Sequence, residues 1–525
     1  MIAVRVNVSP QIGIGHLVRT TYLAKEFKQQ GEEILFLLNK KDESVESFLK
    51  DFFVVELYNE YSTIDESHDA KLTLSFLKDH DIHTIIVDSY DLNETWEKIL
   101  SANGYKIVAI DDMQRKHCCD FIIDQKWSGI KETYNRYNDL TPPNCTRLLG
   151  PKYTLLNPQY QYTKASDTKR LTILFSLGGG GDFSIFDDII QNLLEDITLD
   201  INIWVILGPI ANNYNKIIEY KKTYSNLKII QDQNNLCPYY KKASLFIGSL
   251  GASFYETSFL KIPALSFSIA PNQESDVTYL QDYGHFLHIT LEELCQSSKT
   301  VQLIKTLLSN IKRVRHLRDN ALINIDNKGI KRIVTAVMYN TTISKNFNPS
   351  LPVHDYINLT SDIKLRKVTD RDINHYLSSR NLLKNRLNMN VDSVIPRVEH
   401  YNWWFSNKRE SYLVEKNQIK ELYIWEEHVN YASKKFLIGG WFVCREDTTF
   451  DISLIALQWQ LETTQQKYPD ATWIAIIKKT NHYVRALNKY LGFVEVKQDE
   501  IEYNAIIHCF NNPSNKEFIY VKKPV

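Results

Sequence analysis

Apolar residues recur along the first half of the chain in short runs, separated by longer stretches in which they return every three or four positions. The runs Ile2–Val8, Glu33–Leu38, Thr84–Val87, Lys106–Ile110 and Phe121–Ile123 predict strands. Between the first two, Leu17, Tyr22, Leu23 and Phe27 fall on one face of a helix over residues 17–30. Strands without a polar face, alternating with amphipathic helices, predict parallel α/β layers. After Gly150 a polar, proline-containing passage around Asn157 to Asp167 marks a boundary. A second series then begins with Leu171–Leu177, Ile201–Leu207, Leu227–Ile230, Leu245–Ile247, Ala264–Phe267 and His285–Ile289, with helical patterns as far as about Tyr339. Two successive Rossmann-like halves leave a cleft, and ligands of such sheets bind at the carboxyl ends of the strands.

The stretch Asn340–Pro352 is polar, carries Pro349 and Pro352, and reads as a linker. Beyond it the pattern changes. Ile363–Val368 leads into Thr369-Asp370-Arg371-Asp372, a helix start with an acidic first turn. Apolar segments follow at His400–Phe405, Ser411–Val414 and Phe436–Cys444, then a helix near Leu454–Gln466, a strand Trp473–Ile477 and a helix Asn481–Leu491. The expected organisation is therefore an α/β chain with two Rossmann-like halves at residues 1–160 and 161–340, a linker at 341–356 and an α+β domain at 357–525.

Composition narrows the classes. Lys+Arg and Asp+Glu number 62 each in 525 residues, so the net charge is zero. That argues against a nucleic-acid partner, which leaves a basic footprint, but permits a local basic pocket for a phosphorylated small molecule. Seven cysteines without regular spacing form no disulfide framework. His117-Cys118-Cys119 lacks a second Cys or His pair, so buried thiols are expected and no metal. Residues 1–6 read as a strand rather than a leader, and no apolar run approaches the roughly 18 residues of a membrane span. A soluble, cytoplasmic protein without membrane insertion is expected.

The candidate chemistry lies in loops at strand ends. The first, Ser9 to His16, contains Gly13 and Gly15 and opens a helix, where backbone N–H groups face an anion. His16 stands at the helix start, either as a general base beside the cleft or as a cap of the turn. The second half repeats the design with Leu177-Gly178-Gly179-Gly180-Gly181-Asp182, four glycines that favour close backbone approach. In Ile247 to Glu256, the small residues Ser249, Gly251 and Ser253 suit a diphosphate, while Glu256 faces either ribose hydroxyls or solvent. Asn272, Gln273 and Glu274 bring amides and a carboxylate to the end of the next strand, where sugar hydroxyls are contacted.

These motifs carry a family resemblance over residues 1 to about 300. The stretches Gln11 to Arg19, Ile110-Asp111-Asp112 with His117-Cys118-Cys119-Asp120, Leu177-Gly178-Gly179, Glu256 to Leu265 and Asn272-Gln273-Glu274 resemble the UDP-2,4-diacetamido-2,4,6-trideoxy-β-L-altropyranose hydrolases of pseudaminic acid biosynthesis. Those enzymes are built like GT-B glycosyltransferases. The resemblance implies that His16 is the catalytic base that activates water to release UDP, without a metal. It implies that Glu256 and the glycine loops hold UDP, with Arg19 in the matching stretch, and that Asp88 and Tyr90 contact the sugar. The same architecture also serves transferases, so a GT-B glycosyltransferase using a nucleotide-activated sugar remains the alternative.

The C-terminal 165 or so residues resemble GNAT-type N-acetyltransferases through Leu365 to Asp372, His400 to Phe405 and the closing run Asn481 to Phe493. This resemblance implies acetyl-CoA as cofactor and N-acetylation of a UDP-4-amino-sugar, which makes the whole chain bifunctional. The chain departs from the pattern in two places. The stretch Cys444 to Ser453, where the family has a glycine-rich pyrophosphate loop, contains no glycine and three acidic residues, and Asn488 stands where a tyrosine is frequent. An active transferase and a non-catalytic binding module are both open, and His400 is either a base or a packed structural histidine. Asn481 opens the closing helix.

Overall fold

The computed structural model describes residues 1–9, 14–41, 45–61, 65–162, 170–231, 233, 235–341 and 354–524, without the side chains of Asn272 and Pro524. The chain forms two compact units, Met1–Ser350 and Leu351–Val525. Most of the expected linker at 341–356 lies outside the described residues.

The first unit contains two parallel sheets. Strands β1 (Ile2–Val6), β2 (Ile34–Leu38), β3 (Phe53–Glu56), β4 (Thr84–Asp88), β5 (Lys106–Ile110), β6 (Phe121–Asp124) and β7 (Thr146–Leu149) pair in the order β3-β2-β1-β4-β5-β6-β7. The second sheet has the order β12-β10-β8-β13-β14-β15, from β8 (Leu171–Ser176), β10 (Ile201–Ile206), β12 (Leu227–Ile230), β13 (Leu245–Ser249), β14 (Ala264–Phe267) and β15 (Leu287–His288). A small pair, β9 (Gly180–Asp182) with β11 (Ile210–Asn212), extends the glycine loop of that half. Every residue of β1 and β2 is buried, as sheets covered on both faces require. Both sheets reverse their strand order once, between β1 and β4 and between β8 and β13. These switch points open crevices at the carboxyl ends of the strands.

Three helices of the first unit matter for the site: α1 (Gly15–Gln29), α2 (Ala252–Phe259) and α3 (Gly329–Tyr339). Helix α3 follows the second sheet in sequence yet packs on the first, where Ile333 and Val337 join Val4, Leu17 and Phe27 in one core. A Cβ on Gly329 would lie 2.2 Å from the Thr154 carbonyl, so the start of α3 is pressed against the chain that leaves the first half. The two halves are therefore tied by crossing segments in both directions.

The second unit is an eight-stranded sheet in the order β16-β17-β18-β19-β20-β21-β23-β22. Its strands are β16 (Ile357–Asn358), β17 (Ile363–Lys367), β18 (Glu410–Lys416), β19 (Ile419–Tyr431), β20 (Lys434–Val443), β21 (Thr472–Lys478), β22 (Val494–Glu495) and β23 (Phe518–Pro524). All pairings are antiparallel except β20 with β21. That pair is joined only at Phe436↔Thr472 and Leu437↔Trp473, after which the two strands diverge. His400–Phe405 lies within a helix, Arg397–Ser406. Among the described residues no helix is long and apolar enough to cross a membrane.

Candidate functional site

The crevice of the first half is lined by residues from three strand ends. Helix α1 begins directly after the loop that follows β1, which puts His16 and Arg19 on its first turn. Strand β4 ends at Asp88, with Tyr90 two residues beyond, and Asp112 follows β5. His16 Nδ1 lies 2.6 Å from Asp88 Oδ1, and Arg19 donates to both oxygens of Asp88, each at 2.6 Å. Arg19 reaches Asp112 at 3.0 Å, and Asp112 accepts from the Tyr90 hydroxyl at 2.6 Å. The Tyr90 ring stands edge-on to His16 at 4.6 Å.

Electrostatics fixes the roles in this cluster. Burial alone would raise the Asp88 carboxyl, but Arg19 and His16 outweigh it and hold it down at about 2. An acceptor and a donor compete for His16 Nδ1, because Arg19 Nη2 is also within 3.1 Å. The shorter contact to a carboxylate decides: Nδ1–H donates to Asp88, and Arg19 spends its N–H groups on the carboxylates. In the neutral ring that hydrogen bond leaves Nε2 without a proton, the tautomer a general base needs.

The glycine loop of the second half meets this loop from across the crevice. A Cβ on Gly179 would lie 2.4 Å from Ile14 Cγ1, so only glycine lets the two loops touch. Gly178 has φ +75°, a conformation glycine adopts without cost, and the space beside it is open, as it is beside Gly15. Gly13 lies outside the described residues. At the end of β13, Ser249 is buried and its Oγ has no partner among the described residues, which marks a donor available to a ligand. Gly251 caps α2 without a side-chain bond, leaving first-turn N–H groups unpaired by a cap. Ser253 accepts from the Tyr240 hydroxyl at 3.1 Å.

Glu256 is 8% exposed and accepts from the Tyr160 hydroxyl at 2.9 Å. Burial raises its carboxyl above the usual range, against the pull of the Tyr160 and Tyr240 hydroxyls. Gln273 folds onto the same helix start: its side chain lies beside Gly251 and accepts from the Ile269 amide at 3.1 Å. Glu274 is exposed, and the side chain of Asn272 lies outside the described residues.

Two residues of this site were not singled out from sequence. Asp112 was visible only as part of an acidic pair, and the pair divides its work. Asp111 turns inward to Arg115, Tyr137 and the buried His117, which also bonds Glu97, whereas Asp112 turns to Arg19 and Tyr90. Burial would lower the His117 imidazole, but Asp111 and Glu97 raise it to about 9. Tyr255, on α2 of the second half, is half-buried and close enough to Asp124 and Asp112 of the first half that desolvation and both carboxylates raise its hydroxyl. No local pattern distinguishes it from a packed core tyrosine.

In the second unit the divergence of β20 from β21 opens a cavity of about 1010 Å3, lined by His400, Asn481 and Asn488 among others. Gly439 and Gly440 sit at the divergence, where a Cβ on Gly439 would lie 2.6 Å from the Trp473 ring. His400 bonds the Ile373 carbonyl through Nε2 at 2.8 Å, and burial lowers it to about 4 against that bond. A neutral imidazole this weakly basic favours the packed-histidine reading of the two. Asn481 caps its helix by accepting from the Val484 amide at 3.1 Å, and Asn488 donates to the Val484 carbonyl at 2.9 Å.

No protein-family model matches the chain. It is 24% identical over 287 residues to the UDP-2,4-diacetamido-2,4,6-trideoxy-β-L-altropyranose hydrolase of Campylobacter jejuni, covering 54% of this chain and 96% of the relative. It is 25% identical over 341 residues to the spore coat polysaccharide biosynthesis protein SpsG of Bacillus subtilis, covering 62% and 94%. Among solved structures, MurG of Acinetobacter baumannii aligns with 64% of this chain and 99% of its own at 14% identity and a TM-score of 0.47. A ribosomal L7/L12 alpha-N-protein acetyltransferase, RimL, solved with coenzyme A, aligns with 33% and 98% at 11% identity and a TM-score of 0.26. The chain is thus a distant homologue of the Campylobacter UDP-sugar hydrolase, with the parallel double-sheet architecture described above followed by a separate, mostly antiparallel unit.

Proposed function

We propose that the chain is a bifunctional nucleotide-sugar enzyme. Its first unit hydrolyses UDP from UDP-2,4-diacetamido-2,4,6-trideoxy-β-L-altropyranose, and its second unit N-acetylates the UDP-4-amino-sugar precursor with acetyl-CoA. The observation that carries the first activity is the His16–Asp88 pair, in which Nδ1 is engaged by the carboxylate at 2.6 Å and Nε2 is left to accept a proton, on a helix that starts beside Ile14, the residue the second half's Gly179 touches. The relationship to the Campylobacter hydrolase supports the substrate class.

In this reading His16 Nε2 takes a proton from water as the oxygen attacks the anomeric carbon. The carbon–oxygen bond to the diphosphate breaks, and UDP leaves with the electron pair. Asp88 stabilises the imidazolium that forms, as its ionised state requires. The uncapped start of α2, Ser249 and the Gly178-Gly179 loop hold the departing diphosphate, where helix N–H groups favour negative charge. Gln273 orients the start of α2, and Glu256 with Tyr160 closes the far side.

For the second unit, the opening between β20 and β21 fits an extended thioester arm beside exposed strand edges. The loop before helix Phe450–Lys467 fits a diphosphate less well, since no residue from 445 to 449 has a positive φ of the kind that alternates in an anion nest. Acetyl-CoA supplies the activated acyl group. The cavity's aromatic lining excludes water and favours the uncharged amine that attacks it.

The test is a paired assay with UDP-4-amino-4,6-dideoxy-N-acetyl-altrosamine, with and without acetyl-CoA, followed by mass spectrometry. Acetylation followed by UDP release is the expected result. Hydrolysis of pre-acetylated substrate without acetylation would remove the second activity. UDP release seen only with an acceptor alcohol, with the sugar joined to that alcohol, would replace hydrolysis by glycosyl transfer.

A further inference from the structure

The cavity of the second unit holds a cation that its own protein does not satisfy. Helix α4 (Ile373–Arg380) presents Tyr376 and Arg380, one turn apart, to the cavity wall. Arg380 donates through Nη2 to the Val391 carbonyl at 2.9 Å, while its Nη1 is buried without a partner among the described residues. Leaving such a buried donor unpaired is costly, more so for a charged group, so it calls for a partner from outside.

The surroundings specify the sign of that partner. Burial pulls the Arg380 guanidinium down, and Arg409 and Arg386 pull it the same way, while only the Tyr376 hydroxyl opposes them. Among the described residues no carboxylate is among the causes of that shift. Arg409 lines the same wall, its guanidinium 3.6 Å over the Trp425 ring and 5.1 Å from that of Trp403. Its own carboxylate, Glu427, is at 3.6 Å. Lys384, in the short helix Leu383–Arg386, also reaches the cavity, with Nζ donating to the Glu446 carbonyl at 2.8 Å. Glu399 is the carboxylate of the lining, and it is exposed.

We propose that this wall is a phosphate-binding site, in which the unpaired Nη1 of Arg380, flanked by Arg409 and Lys384, takes the diphosphate of a nucleotide ligand. The assignment goes beyond the acyl-transfer reading and does not require it, since an anion is needed at Arg380 whether or not a group is transferred. It also locates the charge that the glycine-free loop lacks: Glu446 and Asp447 make that loop acidic, whereas α4 and its continuation are basic. Two ligands carry the required chemistry, coenzyme A and a UDP-linked sugar.

The experiment uses the whole chain and follows hydrogen–deuterium exchange of residues 381–396, the segment that Arg380 ties down through Val391. This local readout separates the second unit from any UDP binding in the first. CoA, UDP and pantetheine, which lacks phosphate, are titrated into the wild type, Arg380→Gln and Arg380→Lys. The expected result is protection by CoA or UDP whose half-saturation rises at least about tenfold in Arg380→Gln, the loss of one charge-assisted hydrogen bond. Arg380→Lys keeps the charge and recovers part of the affinity, which separates lost binding from lost folding. Protection by CoA alone assigns the site to the acyl donor, and by UDP alone to the nucleotide sugar. Both outcomes support the site. No protection by either ligand at millimolar concentration overturns it, as does protection by either with the same half-saturation in wild type and Arg380→Gln.

Discussion

Replacing Asp88 by Asn tests the base assignment at its root. Asn keeps the shape and one acceptor oxygen of Asp88 but removes the charge that His16 and Arg19 share at 2.6 Å. An amide can offer its N–H₂ to Nδ1, which moves the imidazole proton to Nε2 and blocks the nitrogen that must accept a proton from water. General-base catalysis contributes about 10²–10⁴ in rate, or roughly 3–5 kcal/mol, and that is the expected loss in kcat for UDP release. UDP affinity should change less than about threefold, because the groups proposed to hold the diphosphate belong to the second half. Arg19 retains Asp112 at 3.0 Å, so the protein should fold with a lowered melting temperature. Acid does not imitate the variant until the pH is very low. Asp88 is depressed to about 2, so its contribution to stability is present above the ordinary carboxylate range and is lost as pH falls toward 2. The assay is stopped-time UDP release at saturating substrate, with UDP binding by calorimetry and a thermal melt as controls. A folded Asp88→Asn protein with kcat within about tenfold of wild type would refute the orientation argument.

Three further outcomes follow from the same structure. His117 is raised from 6.5 to about 9 by Asp111 and Glu97 against burial, so its stabilisation is complete below about pH 6.5 and lost as pH rises through 9; thermal melts across that window should fall in the wild type and flatten in His117→Gln, and equal slopes would remove the imidazolium from the account. Gly208→Ala would place a Cβ 2.3 Å from the Gly179 carbonyl oxygen, a backbone atom that cannot swing aside, and should cost about 2–3 kcal/mol in denaturant unfolding, with an unchanged midpoint counting against the close approach. Glu256→Ala should weaken UDP binding by about 1–3 kcal/mol in calorimetry, and unchanged affinity would confine Glu256 to its bond with Tyr160.

The legible part of this protein was the part written in local periodicity. The central strands of both halves, being buried on both faces, stand out as apolar runs, and β1, β4, β5 and β6 fall within a residue or two of where those runs lie. The edge strand β3 does not, since Phe53 is 66% exposed and the strand lacks a buried face to advertise. Strand β20 falls where the run Phe436–Cys444 lies, but its hairpin partner β19 was hidden for a different reason. The turn that joins β19 to β20 is Ala432-Ser433, both with positive φ, so the glycine or asparagine that announces such turns is missing. Asn417-Gln418 makes the preceding turn with the same backbone and a signal only half as clear.

What the sequence determined alone was the alternation of buried strands and amphipathic helices, the glycine loops at strand ends and the position of His16 at a helix start. Each of these depends on neighbours along the chain, which a linear reading sees. Only the tertiary structure decided which side chains meet. Arg19 and Asp112 are 93 residues apart and share a bond because the strand order reverses between β1 and β4, bringing the ends of β4 and β5 to the start of α1. Glu256 is turned inward by Tyr160, 96 residues before it, and Arg380 acquires its meaning from a cavity whose walls span the second unit. Strand order, burial and unpaired donors are properties of packing, and the same side chains in another register would carry none of them.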